Sequence, residues 1–186
     1  MRMTMTIPLV LPELTLLFAG LVFFCASLGK VRQVLLQWVA VACGLCALLA
    51  SVAGYSESGL LFHGVYKIDA FSQTFKILIS LGLVLVLWCG AGLRGISRQF
   101  IPEYYLFMFL SCFGLCILVS AVELLTIIIS LEISSYALYV LIPLRRQQYQ
   151  REPLEASIKY VFFGGAATAI SLYGMSYIFG MAHSTY

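Results

Sequence analysis

Residues 121–144 read AVELLTIIISLEISSYALYVLIPL, an apolar stretch with one carboxylate, Glu132, far from either end. Apolar sequence is continuous from Tyr104 to Ile142. At about 1.5 Å of rise per residue, a single helix of that length would be nearly twice the ~30 Å of a bilayer core. The chain must therefore fold back once, and the only turn signal lies at Ser120 to Glu123. The second limb then runs from about Val122 to Pro143 and holds Glu132 near its middle. That depth is the most expensive one for a carboxylate, and an ionisable group placed there faces a bundle interior or a hydrated path.

Helical spacing gives this position a direction. Ser135, Tyr136 and Tyr139 lie at i+3, i+4 and i+7 from Glu132 and share its face, leading on toward Arg145 and Arg146. In the other direction Ile129, Ile128 and Leu125 are purely apolar. A hydroxyl-lined half-path would reach Glu132 from the arginine end and stop there. Glu123 is about half a turn out of phase and marks the opposite interface. Proton handling is the functional reading of Glu132; a carboxylate hydrogen-bonded across the bundle is the structural one.

The rest of the chain agrees with a membrane setting. Of 186 residues, 62% are hydrophobic and 10% charged, and the mean hydropathy is +1.00. A soluble domain carries about 25% charged residues. Apolar runs this long exclude a barrel of alternating strands, so the fold class is an all-α integral membrane protein. The chain reads as a single polytopic domain over residues 1–186, with six spans at about 7–28, 34–54, 70–90, 104–120, 122–142 and 154–179. The first is read as a retained span, with Pro12 and Glu13 making an entry turn. The net charge of +3 is small and lies at membrane edges, which does not suggest nucleic acid.

Other polar residues are fewer. Asp69 is placed to cap the third span. Lys76 lies about two turns inside that span, where either snorkelling to the interface or a buried ion pair suits it. Glu155 and Lys159 form an i,i+4 pair in the favourable order at the start of the sixth span. Residues 164–169, GGAATA, offer a small-residue surface for close helix packing. All six cysteines lie within apolar runs and read as packing residues, and the Cys43-x-x-Cys46 spacing has no partner set for a metal. His63 is a lone loop histidine suited to surface contact. Lys30, Arg32, Arg94, Arg98, Arg145, Arg146 and Arg151 fall on one side of six spans, against Arg2 and Lys67 on the other. That bias places the first side in the cytoplasm or its organellar equivalent and both termini outside.

The segment EYYLFMFLSCFGLCILVSAVELLTIIISLEISSYALYVL, residues 103–141, and REPLEASIKYVFFGGAATAISLYGMSYIFG, residues 151–180, resemble subunit N of the proton-pumping NADH:quinone oxidoreductase, complex I, an antiporter-like family. YKIDAFSQTF, residues 66–75, resembles the start of that family's third helix. The resemblance covers essentially the whole chain and is strongest in LEISSYALYVL and EASIKY. It implies that Glu132 is the family's fifth-helix glutamate, that Lys159 is the sixth-helix lysine, and that Glu155 is the acid before it. It also implies that NADH, flavin, iron–sulfur clusters and quinone belong to partner subunits, with no redox centre in this chain. The implied setting is an energy-transducing inner membrane, a bacterial plasma membrane or a mitochondrial inner membrane.

The chain closes at MAHSTY, after the sixth span. The later helices that supply the family's other proton-path lysines are not in it. Either another chain supplies them or this is a reduced subunit that packs and seals. Two readings from other classes stand beside the pump subunit: a free-standing oligomeric ion or small-solute transporter, and a structural or assembly membrane protein.

Overall fold

The computed structural model describes residues 8–29, 32–90, 96, 98–144 and 151–185. Six α-helices follow in chain order: α1 (Leu11–Ser27), α2 (Gln33–Ala53), α3 (Ala70–Cys89), α4 (Ile101–Ser120), α5 (Leu124–Leu141) and α6 (Arg151–Ala182). Five are long and apolar enough to cross a bilayer, and α1, at 17 residues, is shorter. A 3-10 turn, Pro8–Val10, leads into α1. Pro12 sits in the first turn of α1, where its missing N–H costs nothing.

The connection between α2 and α3 is more polar than the spans and carries Gly and Ser. It forms an antiparallel hairpin, β1 (Gly59–Leu61) with β2 (Tyr66–Ile68), Leu60 opposite Lys67. Short strands framed by a Gly–Ser loop give too little alternation to be read from sequence. Phe62, His63 and Gly64 turn the chain with φ of 52°, 59° and 96°. The Val122 N–H donates to the Val65 carbonyl at 3.0 Å, and Tyr66 bridges to Ala121. The hairpin is thus sewn onto the turn between α4 and α5.

α3 starts on a reciprocal cap. The Ser72 N–H donates to the Asp69 carboxylate, and the Asp69 N–H donates to the Ser72 hydroxyl, each at 2.9 Å. The Ser72 amide holds the Asp69 carboxyl below the ordinary carboxylate range, with Lys67 helping. A depressed folded pKa contributes stability that is present above the unfolded value and is lost as pH falls through the folded one. Asp69→Ala should cost about 1 kcal/mol at neutral pH. That loss should shrink on acidification, because the wild type then loses the same cap; thermal unfolding of both proteins at two pH values reads the difference.

The core is made by α1, α2, α3 and α4. Phe23 stacks on Phe109 at 5.5 Å and lies 5.2 Å from Tyr105, among Leu16, Ala40 and Leu83. Serines join helices across this apolar interior: Ser51 to Ser80 between α2 and α3 at 3.0 Å, and Ser111 to Ser134 between α4 and α5 at 3.1 Å. Bonds of this kind contribute about 0.6 kcal/mol each in lipid. Outward faces carry Phe18, Trp38, Trp88 and Phe162, all exposed, a surface suited to acyl chains or to other apolar helices.

Gly114 sets how closely α4 approaches α5. A Cβ there would lie 2.7 Å from the Ser134 backbone nitrogen and 2.9 Å from the Ser130 carbonyl oxygen, both of which are backbone and cannot rotate away. Gly114→Val should force the two helices apart and break the Ser111–Ser134 bond, at about 1–3 kcal/mol or more. A lower unfolding temperature and loss of assembled protein on a native gel would show it.

Candidate functional site: a midplane carboxylate and a buried acid–base pair

Glu132 lies eight residues into α5 and nine from its end, about 12 and 14 Å along the axis at 1.5 Å per residue. It is half-buried, on the side where α6 packs. The Thr168 hydroxyl of α6 donates to Glu132 Oε1 at 2.5 Å, and the Tyr136 phenol, one turn on along α5, interacts with the same carboxylate. Sequence reasoning placed Tyr136 on the Glu132 face. It did not single out Thr168, which it read as part of a small-residue surface. The signal was there: a hydroxyl one turn beyond Gly164, the glycine against which Tyr139 packs.

Tyr139, also on that face by spacing, is buried against α6. Its ring meets Tyr160 edge-on at 5.0 Å and Tyr136 at 5.6 Å, and its carbonyl accepts from the Ser157 hydroxyl at 3.3 Å. A Cβ on Gly164 would fall inside the Tyr139 hydroxyl, so glycine is what admits the tyrosine between the helices. Ser135 is half-buried, and its neighbour Ser134 is the serine that binds across to α4. Lys159 pairs with Glu155 at 2.5 Å on an exposed face. Thr168 marks the level of Glu132 on α6, nine residues past Lys159, so about 14 Å of helix separates that lysine from the carboxylate. Arg145 and Arg146, toward which the hydroxyl face leads, lie outside the described residues. Glu123, at the far end of α5, accepts from Thr126 at 3.1 Å and Thr185 at 3.0 Å, which ties the end of α6 to the start of α5.

Lys76 does not snorkel. It is fully buried and pairs with Glu13 of α1, Nζ to Oε1 at 2.6 Å. The Tyr66 hydroxyl donates to the same Oε1 at 2.5 Å, and the ammonium lies 5.1 Å from the centre of the Tyr66 ring. Burial and the adjoining Glu13 carboxylate push the Tyr66 phenol up, so it remains a donor at physiological pH. Glu13 is therefore more than an entry residue. α1 and α3 start at the same end of the bundle, which puts Glu13 and Lys76 at similar depths. The nitrogen and oxygen approach as an ion pair without hydrogen-bond alignment, and Glu13 Oε2 has no hydrogen-bond partner among the described residues. Among the described residues no cluster of His, Cys, Asp and Glu has the geometry of a metal site.

A bundle of apolar helices with a carboxylate at mid-depth and a second, buried acid–base pair is that of a polytopic membrane protein. Residues 121–186 match the family described as NADH:quinone oxidoreductase/Mrp antiporter, TM. Along nearly its whole length the chain is similar to subunit N of NADH-quinone oxidoreductase: it is 42% identical over 182 residues, 98% of the chain, to "NADH-quinone oxidoreductase subunit N 2" of Solidesulfovibrio magneticus. The fold superposes with a TM-score of 0.75 and 25% identity on a chain of respiratory complex I from Thermus thermophilus with bound aureothin, covering 94% of this chain and 38% of that one. A chain of the archaeal membrane-bound sulfane sulfur reductase shares the fold at a TM-score of 0.72 and 19% identity, over 96% of this chain and 37% of that one. The chain spans about 38% of the length of the curated relative it matches at 42% identity.

Proposed function

We propose that this chain is a membrane-arm, antiporter-like part of a proton-translocating NADH:quinone oxidoreductase, and that Glu132 takes up and releases protons within it. The observation that carries this reading is a carboxylate at mid-depth, half-buried, held by the rotatable Thr168 hydroxyl with the Tyr136 phenol beside it, in a chain similar to subunit N. A hydroxyl donates to a carboxylate and accepts from a carboxylic acid, so both protonation states of Glu132 keep partners. Lys159, with Glu155, stands at the other end of α6 as a proton collector, too far along the helix to touch Glu132. Tyr139 and Ser135 support the packing beside the carboxylate. Lys76 takes no part in the Glu132 site.

The partners implied are other membrane subunits of such a complex. NADH, flavin, iron–sulfur clusters and quinone are assigned to those partners. The setting is an energy-transducing membrane, a bacterial plasma membrane by the source of the relatives. Arg32 and Arg98 at one end of the bundle and Lys67 at the other support placing the arginine end in the cytoplasm. The remaining basic residues of that bias are outside the described residues or their side chains are.

Native electrophoresis of mild-detergent membranes, with mass spectrometry of the co-migrating chains, tests the assignment. Migration in a large assembly with quinone oxidoreductase subunits is the expected result. A small homo-oligomer would overturn it and leave the free-standing transporter.

A further inference from the structure

We propose that the outward face of α2 and α3 is the side of this chain that meets phospholipid, with Arg32 at its edge taking anionic headgroups. The proposal rests on the membrane setting and not on the role of Glu132.

The face is one stripe on each helix. On α2 the exposed side chains Leu35, Trp38, Leu45, Leu49 and Val52 fall at helical spacing, and on α3 Phe71, Leu78, Leu81, Leu85 and Trp88 do the same. That spacing keeps each set on one side of its helix. The buried residues Ala40, Ala47 and Ser51 of α2, and Lys76, Ser80 and Leu83 of α3, lie on the opposite sides. The two helices run side by side, joined by Ser51 to Ser80 at 3.0 Å and by Gly44 close against Leu87. Close helix–helix contact in a membrane uses small residues, and on α2 Ala40, Gly44 and Ala47 are turned inward while the large side chains are turned out.

The aromatic residues select lipid over a neighbouring helix as the cover. The chain has two tryptophans, Trp38 and Trp88, and both lie on this face, 67% and 66% exposed. Both stand toward the arginine end of the bundle, Trp38 five residues into α2 and Trp88 one residue from the end of α3. Another exposed aromatic stands 17 residues from each at the hairpin end, Tyr55 just beyond α2 and Phe71 near the start of α3. Seventeen residues of helix span about 25 Å, close to the ~30 Å of a hydrocarbon core. Aliphatic side chains bounded by aromatic rings at both ends are the pattern of a surface that crosses a bilayer, with amphipathic rings at headgroup level.

Charge agrees with this at the tryptophan end. Arg32 is the N-cap residue of α2, is exposed, and has no ion-pair partner among the described residues. It precedes Trp38 by six residues, about 9 Å along the axis, which puts its guanidinium beyond the ring at the level of lipid phosphates. Anionic headgroups attract basic side chains at that level. The outward side of α6 differs: Tyr173 and Tyr177 meet through their hydroxyls at 2.7 Å within the span, with Ser171 and Ser176 on the same helix. That face is the control.

Photolabelling of the assembled protein in native membranes tests the proposal. The probe is a phosphatidylglycerol with a diazirine in its acyl chain; light expels N₂, and the carbene inserts into a neighbouring C–H bond. Peptide mass spectrometry should find label at Leu45, Leu49, Leu81 and Leu85, and several-fold less on α6 between Leu172 and Phe179. The same probe with a phosphatidylcholine headgroup should label the Trp38 peptide less, and Arg32→Gln should remove that headgroup preference while label at Leu49 and Leu81 persists. An α2–α3 face without label in a sample whose other membrane peptides are labelled would overturn the proposal, as would label on α6 of equal strength. A headgroup preference that survives in Arg32→Gln would overturn the role of Arg32. Leu49→Trp and Leu85→Trp give a second reading: acyl chains yield to a larger side chain, so a native gel should show assembly unchanged, whereas loss of assembly in both would mean that a packed protein neighbour covers the face. Because the readouts are lipid contact and assembly, normal pumping by Glu132→Gln would remove the Glu132 reading and leave this one standing.

Discussion

Glu132→Gln should abolish most coupled proton translocation while the protein still assembles. Gln has the shape of Glu and keeps a carbonyl oxygen for the Thr168 hydroxyl, which donates to Glu132 Oε1 at 2.5 Å. It cannot bind or release a proton. A positioned proton-transfer group contributes about 10²–10⁴-fold to the step it serves, so a loss of about 10²-fold through this path is the expected scale. Proton uptake measured in proteoliposomes against NADH oxidation, with a native gel for assembly, reads both quantities. An unaltered proton-to-electron ratio in assembled protein would take Glu132 out of the path. Thr168→Val offers a graded companion: it removes one donor, leaves Tyr136, and should slow the step without stopping it.

Breaking the Glu13–Lys76 pair from one side should be the most destabilising single change in the molecule. Both side chains are within 5% of full burial. Lys76→Met leaves Glu13 with the Tyr66 hydroxyl alone, so the carboxylate must either stay charged without a cation or take up a proton. Loss of one partner of a buried pair costs about 3–5 kcal/mol. Replacing both, as Glu13→Leu with Lys76→Met, should recover most of that stability, because well-packed apolar side chains in place of a buried ion pair are neutral or favourable. Thermal unfolding of the single and double variants in detergent, followed with abundance in membranes, gives the comparison. A double variant as unstable as the single one would mean that the pair contributes through packing and not through charge.

The helices could be read from composition because a bilayer leaves few alternatives. Apolar runs too long for one crossing and interrupted only by Gly, Ser, Pro and charges must be helices that turn at those interruptions. The resemblance carried by LEISSYALYVL and EASIKY rested on contiguous residues, and the similarity to subunit N follows the same segments. Glu132 was visible as the one carboxylate at the centre of an apolar span, where neither snorkelling nor a cap accounts for it. Its partner on α6 was not, since a threonine in a row of small residues looks like packing until the rotation of α6 is known.

Sequence alone determined that this is a membrane protein of apolar helices and that a carboxylate, Glu132, sits near the middle of one of them. Those features depend on local hydropathy and on neighbours three or four residues apart. Only the tertiary structure decided that Lys76 meets Glu13 instead of reaching for the interface, that Tyr66 of a hairpin closes over the pair, and that Thr168 holds Glu132. Each of these is a contact between distant segments, and which charge finds which partner depends on how far each helix is rotated about its axis. Strongly apolar helices have no polar face to set that rotation, so it is fixed by close contacts such as Gly114 against Ser134 and Gly164 against Tyr139.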